Sequence, residues 1–284
     1  LGGGFVGLEF AQMFRRFGAR VSILEKYPRL APREDEDVCL GLREMMEEDG
    51  IDLFLDVEVT SVASTTGDGV SVRHRSLQGQ EVETRGSHLL VAAGRVPNTD
   101  TLLPEAAGLE LDDRGYLVVN DRLETNVPGV YALGDVNGGP PFTHIAYDDF
   151  RVVRTNLLEG GSASRAGRIV PYTVFTDPEL GRVGMSEGQA RKEGRKIRVA
   201  KLPMSKVARA VERAETRGFM KAVVDAGTDR ILGATVLGIE GGELASLFQA
   251  AMLGDLPYTA LRDGVFAHPT LAESLNNLFA KLED

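Results

Sequence analysis

The chain has one cysteine, Cys39, in 284 residues, and no tryptophan. A single thiol forms neither an internal disulfide nor a thiolate metal cluster. Cys39 falls in a helical stretch (residues 33–49), where partial burial is its expected role. The four histidines, His74, His88, His144 and His268, are scattered without ligand spacing, so no metal site is expected. Apolar runs such as residues 89–93 are too short to span a bilayer, which argues against a membrane partner. No Lys/Arg cluster forms a track for a phosphate backbone, and the net charge is −10, so a nucleic-acid partner is not expected either. An initiator methionine is also missing, and almost nothing precedes the opening LGGGFVG. The expectation is the C-terminal part of a longer polypeptide.

What is present begins with that opening. Gly2, Gly4 and Gly7 fit G-x-G-x-x-G, a loop that aims backbone N–H groups and a helix N-terminus at a pyrophosphate. Val6, Phe10, Met13, Phe14 and Phe17 recur at helical spacing, and Gly18 stands where a C′ glycine ends a helix. Residues 20–25 read as a short strand ending in Glu25, near where an acid meets an adenosine ribose. A glycine turn that merely packs a helix on a sheet would share part of this pattern, but loop, helix, strand and acid together point to a nucleotide. A carboxylate at Glu25 repels a 2′-phosphate and favours NAD. Lys26, Arg29 and Arg33 follow closely, so NADP is not excluded.

Further on, HLLVAAGRVPN (residues 88–98) reads as a short strand running into Gly94. NVPGVYALGD (126–135) reads as a buried strand at 130–133 closed by Gly134 and Asp135. An acid after a glycine at a strand end suits a ribose or polyol hydroxyl, although a cap or turn former has the same look. The length allows about two domains. Alternation at 51–63 and 69–75 around Gly67-Asp68-Gly69 predicts an antiparallel excursion, and Gly160-Gly161-Ser162 a linker. Beyond it, strands are expected near 171–175, 197–202, 217–225 and 231–238, and helices near 187–194, 242–254 and 271–282. Ser186 with Gln189 reads as a capping box, and Leu244, Leu247, Phe248, Ala251 and Met252 form an apolar helix face.

Five strings in order, GGGFVGLEF (2–10), VAAGRVPNT (91–99), TNVPGVYALGDV (125–136), FTDPELGRVG (175–184) and FAHPTLAESL (266–275), resemble the pyridine nucleotide–disulfide oxidoreductases, flavoproteins that include dihydrolipoamide dehydrogenase and mercuric reductase. The resemblance implies an α/β chain in three parts. These are a Rossmann-like NAD(P)-binding domain (1–95) with its first strand truncated, the C-terminal part of an FAD-binding domain (96–168), and an α+β dimerisation domain (169–284).

It also assigns roles. Gly2, Gly3, Gly4, Phe5, Val6 and Gly7 would line the NAD(P)H site, with Glu25 on the ribose and Gly94 against the nicotinamide nucleotide. Phe5 would gate the flavin, and Glu9 would lie near nicotinamide and flavin. Gly134 and Asp135 would meet the FAD ribityl chain, and a helix beginning around Thr143-His144 would face the flavin ring. His268 would be the general acid–base, oriented by Glu273, acting in the partner's active site of a homodimer. Five residues apart, these two would not face each other on an ideal helix, so Pro269 must bend the chain. His74 and His88 receive no role, His74 being expected in solvent.

The implied activity passes hydride from NAD(P)H through FAD to a cysteine pair and on to a small-molecule oxidant or disulfide, in a cytoplasmic enzyme. The pair, a C-x-x-x-x-C segment, would lie upstream, so these residues alone are expected to be inactive. Residues 142–154 and 256–263 are closer to a mercuric-reductase-like branch, yet the chain ends without the cysteine pair that captures Hg(II). Two alternatives stay open: a flavoprotein transhydrogenase or oxidase lacking redox cysteines, and a non-catalytic nucleotide-binding or dimerising fragment.

Overall fold

In the computed structural model, which describes residues 1–67 and 69–282, the glycine loop leads into helix α1 (Phe5–Arg16). Arg15 and Arg16 complement the C-terminal end of its dipole, and Gly18 ends it at φ +95°. Its buried face is Gly7, Leu8, Ala11 and Gln12. The expected apolar stripe is on the other side: Val6, Phe10, Phe14 and Phe17 are exposed. Gly7 lets this face lie close to its own loop: a Cβ on it would stand 2.1 Å from Gly2 O.

Strand β1 (Ser22–Glu25) pairs in parallel with β2 (Asp52–Leu55), and α2 (Glu36–Glu48) crosses between them. Leu8, Ile23, Leu30, Val38, Leu42 and Met46 fill the layer between. Cys39 is buried in α2, where burial pushes its thiol up to about 11.

Leu1 and Gly2 lie between β1 and residues 90–92. Gly2 N–H donates to Leu24 O (2.9 Å), Leu1 N to Leu90 O (2.7 Å) and Ala92 N–H to Leu1 O (2.8 Å). Residues 88–93, expected as a strand, form none. Their backbone pairing is with Leu1, through Leu90 O and Ala92 N–H.

The antiparallel excursion is β3 (Val57–Ser64), β4 (Val70–Ser76) and β5 (Glu81–Gly86), in that order. Residues 52–55 belong instead to the parallel pair. Asp68 of the expected turn lies outside the described residues. His74 is buried rather than solvated: strand alternation puts it inside with Val72, its ring 4.9 Å from that of Phe54 and Nε2 3.0 Å from Thr84 Oγ1. Burial lowers its pKa.

Residues 94–170 form a compact unit of their own, rich in turns and single-turn helices and carrying one long helix, α3 (Thr143–Leu158). Residues 130–133 are not a strand. They form one isolated bridge, Glu124 to Tyr131, flanked by Thr125 N–H to Val130 O (3.0 Å) and Ala132 N–H to Leu123 O (3.2 Å), rather than a ladder.

Residues 171–284 group with 1–93. Strands β6 (Pro171–Val174), β7 (Glu179–Gly184), β8 (Ile197–Pro203), β9 (Phe219–Asp225) and β10 (Ile231–Gly238) form an antiparallel sheet ordered β6-β7-β10-β9-β8. Sequence reading missed β7. Helix α4 (Glu187–Lys192) is capped by Ser186 Oγ, which accepts from Gln189 N–H at 2.8 Å, while the Gln189 amide turns to Glu193. Short α5 (Ala208–Glu212) follows β8. Helix α6 (Gly241–Leu253) buries Leu244, Ala245, Phe248 and Ala251 on β7 and β10, and Gly181 permits its approach: a Cβ there would stand 2.0 Å from Gly241 O. Helices α7 (Tyr258–Arg262) and α8 (Ser274–Phe279) close the unit. Helix α8 is shorter than expected because residues 267–273 make a separate turn, Thr270 Oγ1 donating to Ala267 O at 2.7 Å. Val174, Leu180, Phe219 and Leu237 share one core with α1 and α2.

Candidate functional site

The glycine loop is built for close approach. Gly2 takes φ +103°, and a Cβ on it would stand 2.4 Å from Ala92 O. Gly4 is the N-cap of α1, and a Cβ there would meet nothing within 4 Å. No side chain caps the helix and no acid stands in its first turn. Tight glycines behind and open space ahead of a helix N-terminus fit a pyrophosphate.

Glu25 stands beside this loop and is buried. One of its oxygens accepts the Gly3 N–H and the other accepts the Tyr27 N–H at 2.9 Å. The expected ribose ligand therefore also shapes the loop, leaving its remaining lone pairs for a hydroxyl. Phe5 is half-buried, its ring 5.2 Å from that of Tyr172. Val6 is exposed on the first turn.

Glu9 accepts the Phe175 N–H at 2.8 Å. One turn on, Gln12 grips the backbone of Asp177, accepting its N–H at 2.7 Å and donating to its carbonyl at 2.9 Å. Arg16 pairs with the Asp177 carboxylate. Three successive side chains on one face of α1 thus hold residues 175–177, a face that the large apolar residues of the helix concealed in the sequence.

In the 94–170 unit, Gly94 takes φ +126° and Gly134 φ +71°. Asp135 is exposed in a helical turn, 3.0 Å from Arg95 Nη1. That turn rests on Asp149, which is 1% exposed and accepts from Gly134 N–H (2.9 Å), Asn137 Nδ2 (3.0 Å) and Arg168 Nη2 (2.7 Å). Asp149 and Arg168 escaped the sequence reading, since an Asp-Asp pair on a helix reads as solvated surface. Thr143 opens α3, with no acid in the first turn and with Phe142 and His144 rings stacked at 5.3 Å.

His268 Nδ1 stands 2.9 Å from both oxygens of Glu273, although five residues separate them. The His268–Pro269 peptide is cis, and Glu273 N–H donates to Thr270 Oγ1 at 3.2 Å, closing the turn that brings the pair together. The carboxylate is sheltered and the ring exposed, at 18% and 73% of the side chain. Nδ1 is therefore the ring nitrogen that faces the carboxylate, and Nε2 is the one left for another partner.

A family model, pyridine nucleotide-disulphide oxidoreductase, matches residues 1–149, and the dimerisation domain of the same family matches residues 170–279. The chain belongs to this family. It is 41% identical over 281 residues to the probable pyridine nucleotide-disulfide oxidoreductase RclA of Escherichia coli, covering 99% of this chain and 62% of that protein. It is 36% identical to the dihydrolipoyl dehydrogenase of Haloferax volcanii, covering 97% and 58%. Among solved structures, the HOCl-induced flavoprotein disulfide reductase RclA from E. coli superposes with a TM-score of 0.91 at 42% identity, over 100% of this chain and 64% of that one. LpdA from Mycobacterium tuberculosis gives 0.89 at 30% identity, over 100% and 61%. The chain thus spans about three-fifths of the length of these relatives. The α/β class, with its Rossmann-like, flavin-domain and dimerisation parts, is that of the family. Among the described residues, no helix is long and apolar enough to cross a membrane, and no group of three His, Cys, Asp or Glu side chains is placed to hold a metal ion.

Proposed function

We propose that these residues supply the NAD(P)H loop, part of the FAD site and the acid–base pair of an FAD-dependent NAD(P)H:disulfide oxidoreductase working as a homodimer in the cytoplasm. The observation that carries this is the His268–Glu273 pair. A solvent-facing imidazole is held through Nδ1 by a sheltered carboxylate, which is the geometry for taking a proton from a thiol and returning it.

Bound together, a nicotinamide nucleotide and FAD would supply hydride transfer and electron delivery toward sulfur. Gly2, Gly3, Gly4 and Gly7 would shape the loop that takes the pyrophosphate, with the N–H groups opening α1 at Gly4, Phe5 and Val6 as its donors, and Gly94 is proposed against the nicotinamide nucleotide. Glu25, held by backbone on both oxygens, would meet the ribose, and its charge favours NAD over NADP. Glu9, fixed by the Phe175 N–H, would face the nicotinamide and flavin. Asp135, on the turn set by Asp149, would accept from flavin ribityl hydroxyls, and the N-terminus of α3 at Thr143 would stabilise negative charge on the ring. Cys39 is buried, so the reducing cysteines would come from residues preceding Leu1. The electron acceptor is proposed as a disulfide or a small oxidant.

His268→Gln in the full-length enzyme tests this. Thiol-linked turnover should fall about 10²- to 10⁴-fold while flavin reduction by NADH stays normal. Near-normal turnover with normal flavin reduction would remove the acid–base role, and with it the case for a disulfide reductase over a transhydrogenase or oxidase.

A further inference from the structure

Glu34 has no part in the chemistry above, yet it is 4% exposed and pairs with a second buried charge. Arg182 of β7 donates to it at 2.6 Å, and the Tyr172 hydroxyl of β6 donates to the other oxygen. Replacing a buried ion pair by apolar residues of similar size is often neutral or stabilising, so stability alone is a weak reason for this one.

Its connections supply a better reason. Glu34 N–H donates to Ala31 O at 2.9 Å, and Ala31 N–H donates to Gly3 O at 2.9 Å. Leu30 is fully buried, with Cδ2 2.7 Å from where a Cβ on Gly3 would stand. The Gly3 N–H is held by Glu25. Gly3 is therefore gripped at its N–H by the end of β1 and at its carbonyl by residues 30–31, just behind the open face of Gly4. The segment from 26 to 34 has two anchors: Glu25 at one end and the Glu34–Arg182–Tyr172 cluster at the other. The second anchor belongs to the five-stranded sheet.

We propose that Glu34, held by Arg182 and Tyr172, is a positioning residue for NAD(P)H, setting through Ala31 the peptide plane that presents the pyrophosphate-binding N–H groups. The inference rests on the glycine loop being the NAD(P)H site. The dimerisation sheet then serves nucleotide affinity directly, because displacement of about 1 Å in a binding loop can lower productive binding as much as 10²-fold.

The test uses the full-length, FAD-loaded dimer. Glu34→Leu combined with Arg182→Met removes both charges at similar volume. Expected are a roughly tenfold rise in Kd for NAD⁺ by calorimetry, a similar rise in KM for NADH and kcat within about twofold, as for a displaced binding loop. FAD content, dimer state and melting temperature should stay near wild type. Hydrogen exchange in the unliganded protein should speed up across residues 2–8. Tyr172→Phe, which retains the ion pair, should shift Kd in the same direction by a few-fold.

A folded double variant with wild-type Kd and wild-type exchange overturns the proposal; if the double variant does not fold, the same result for Tyr172→Phe overturns it. Gly7→Ala separates the premise from the inference. If Gly7→Ala binds NAD⁺ like wild type, the glycine-loop reading itself falls. If Gly7→Ala loses NAD⁺ and the Glu34 variants do not, only the positioning role falls.

Discussion

Lys221 is the charge whose removal should do most damage. It lies on β9, 2% exposed, with Nζ 2.8 Å from Asp35, 2.7 Å from Asp37 and 3.5 Å from Glu187. One ammonium thereby ties the start of α2 and the start of α4 to the sheet. Lys221→Met keeps the stem and leaves these carboxylates facing one another, with Lys201 at 2.6 Å the remaining cation on Asp37.

Breaking a buried pair from one side costs about 3–5 kcal/mol, or roughly 6–20 °C in Tm for a unit of this size. The effect carries a pH signature. Burial alone would raise Asp35 and Asp37, but hydrogen bonds from Lys221, joined by the Gly188 and Glu187 amides on Asp35 and by Lys201 on Asp37, hold both below the ordinary 3.8. Burial alone would lower Lys221, but Asp35 and Asp37 raise it above 10.5. The carboxylate contribution is complete above 3.8 and disappears as pH falls through the lower folded values. The Lys221 contribution is complete below 10.5 and disappears as pH rises through the higher folded value. The stability difference between wild type and Lys221→Met, measured by urea denaturation, should therefore be flat through neutral pH and shrink in acid below about 3.8. A difference under about 1 kcal/mol at pH 7, or one that grows in acid, would refute the reasoning.

Three further outcomes are expected. Cys39, buried with its pKa near 11, should resist a thiol-specific disulfide reagent at pH 8 and react fully in urea; fast labelling of the folded protein would contradict the structure. Phe248→Ala, at a fully buried position, should lose about 3–5 kcal/mol in the same denaturation assay. Asp149→Asn in the full-length enzyme should lower bound FAD per chain, read from flavin absorbance, because the turn carrying Asp135 loses the anion that holds Gly134 and Arg168; unchanged flavin content would show that the turn stands without it.

Local signals were legible. The glycine spacing, the strand ending in Glu25 and the cap at Ser186 each depend on residues within a few positions of one another, and each stands where the pattern placed it. The His268–Glu273 pairing was also legible, through motif and Pro269 rather than periodicity. Non-local decisions were hidden. Phe10, Phe14 and Phe17 look like a core stripe, but the core took the Gly7, Leu8, Ala11 and Gln12 face of α1, and nothing in the helix alone says which side a sheet will choose. Residues 88–93 and 130–133 have strand composition without a paired ladder, and a strand is a property of pairs. Glu34 and Arg182 lie 148 residues apart and read singly as surface charges. His74 was misjudged because alternation alone does not say which strand face is covered.

The placement of Leu1 bears on how the protein can be handled. Its backbone nitrogen is bonded to Leu90 O, and Gly2 N–H to Leu24 O, so the segment entering the glycine loop lies between two backbone segments. An affinity tag or fluorophore inserted at Leu1 or Gly2 would be threaded between these segments beside the glycine loop and would disturb the region it was meant to report on. The exposed tip between β4 and β5, at Leu77 to Gly79, is the safer place for a label.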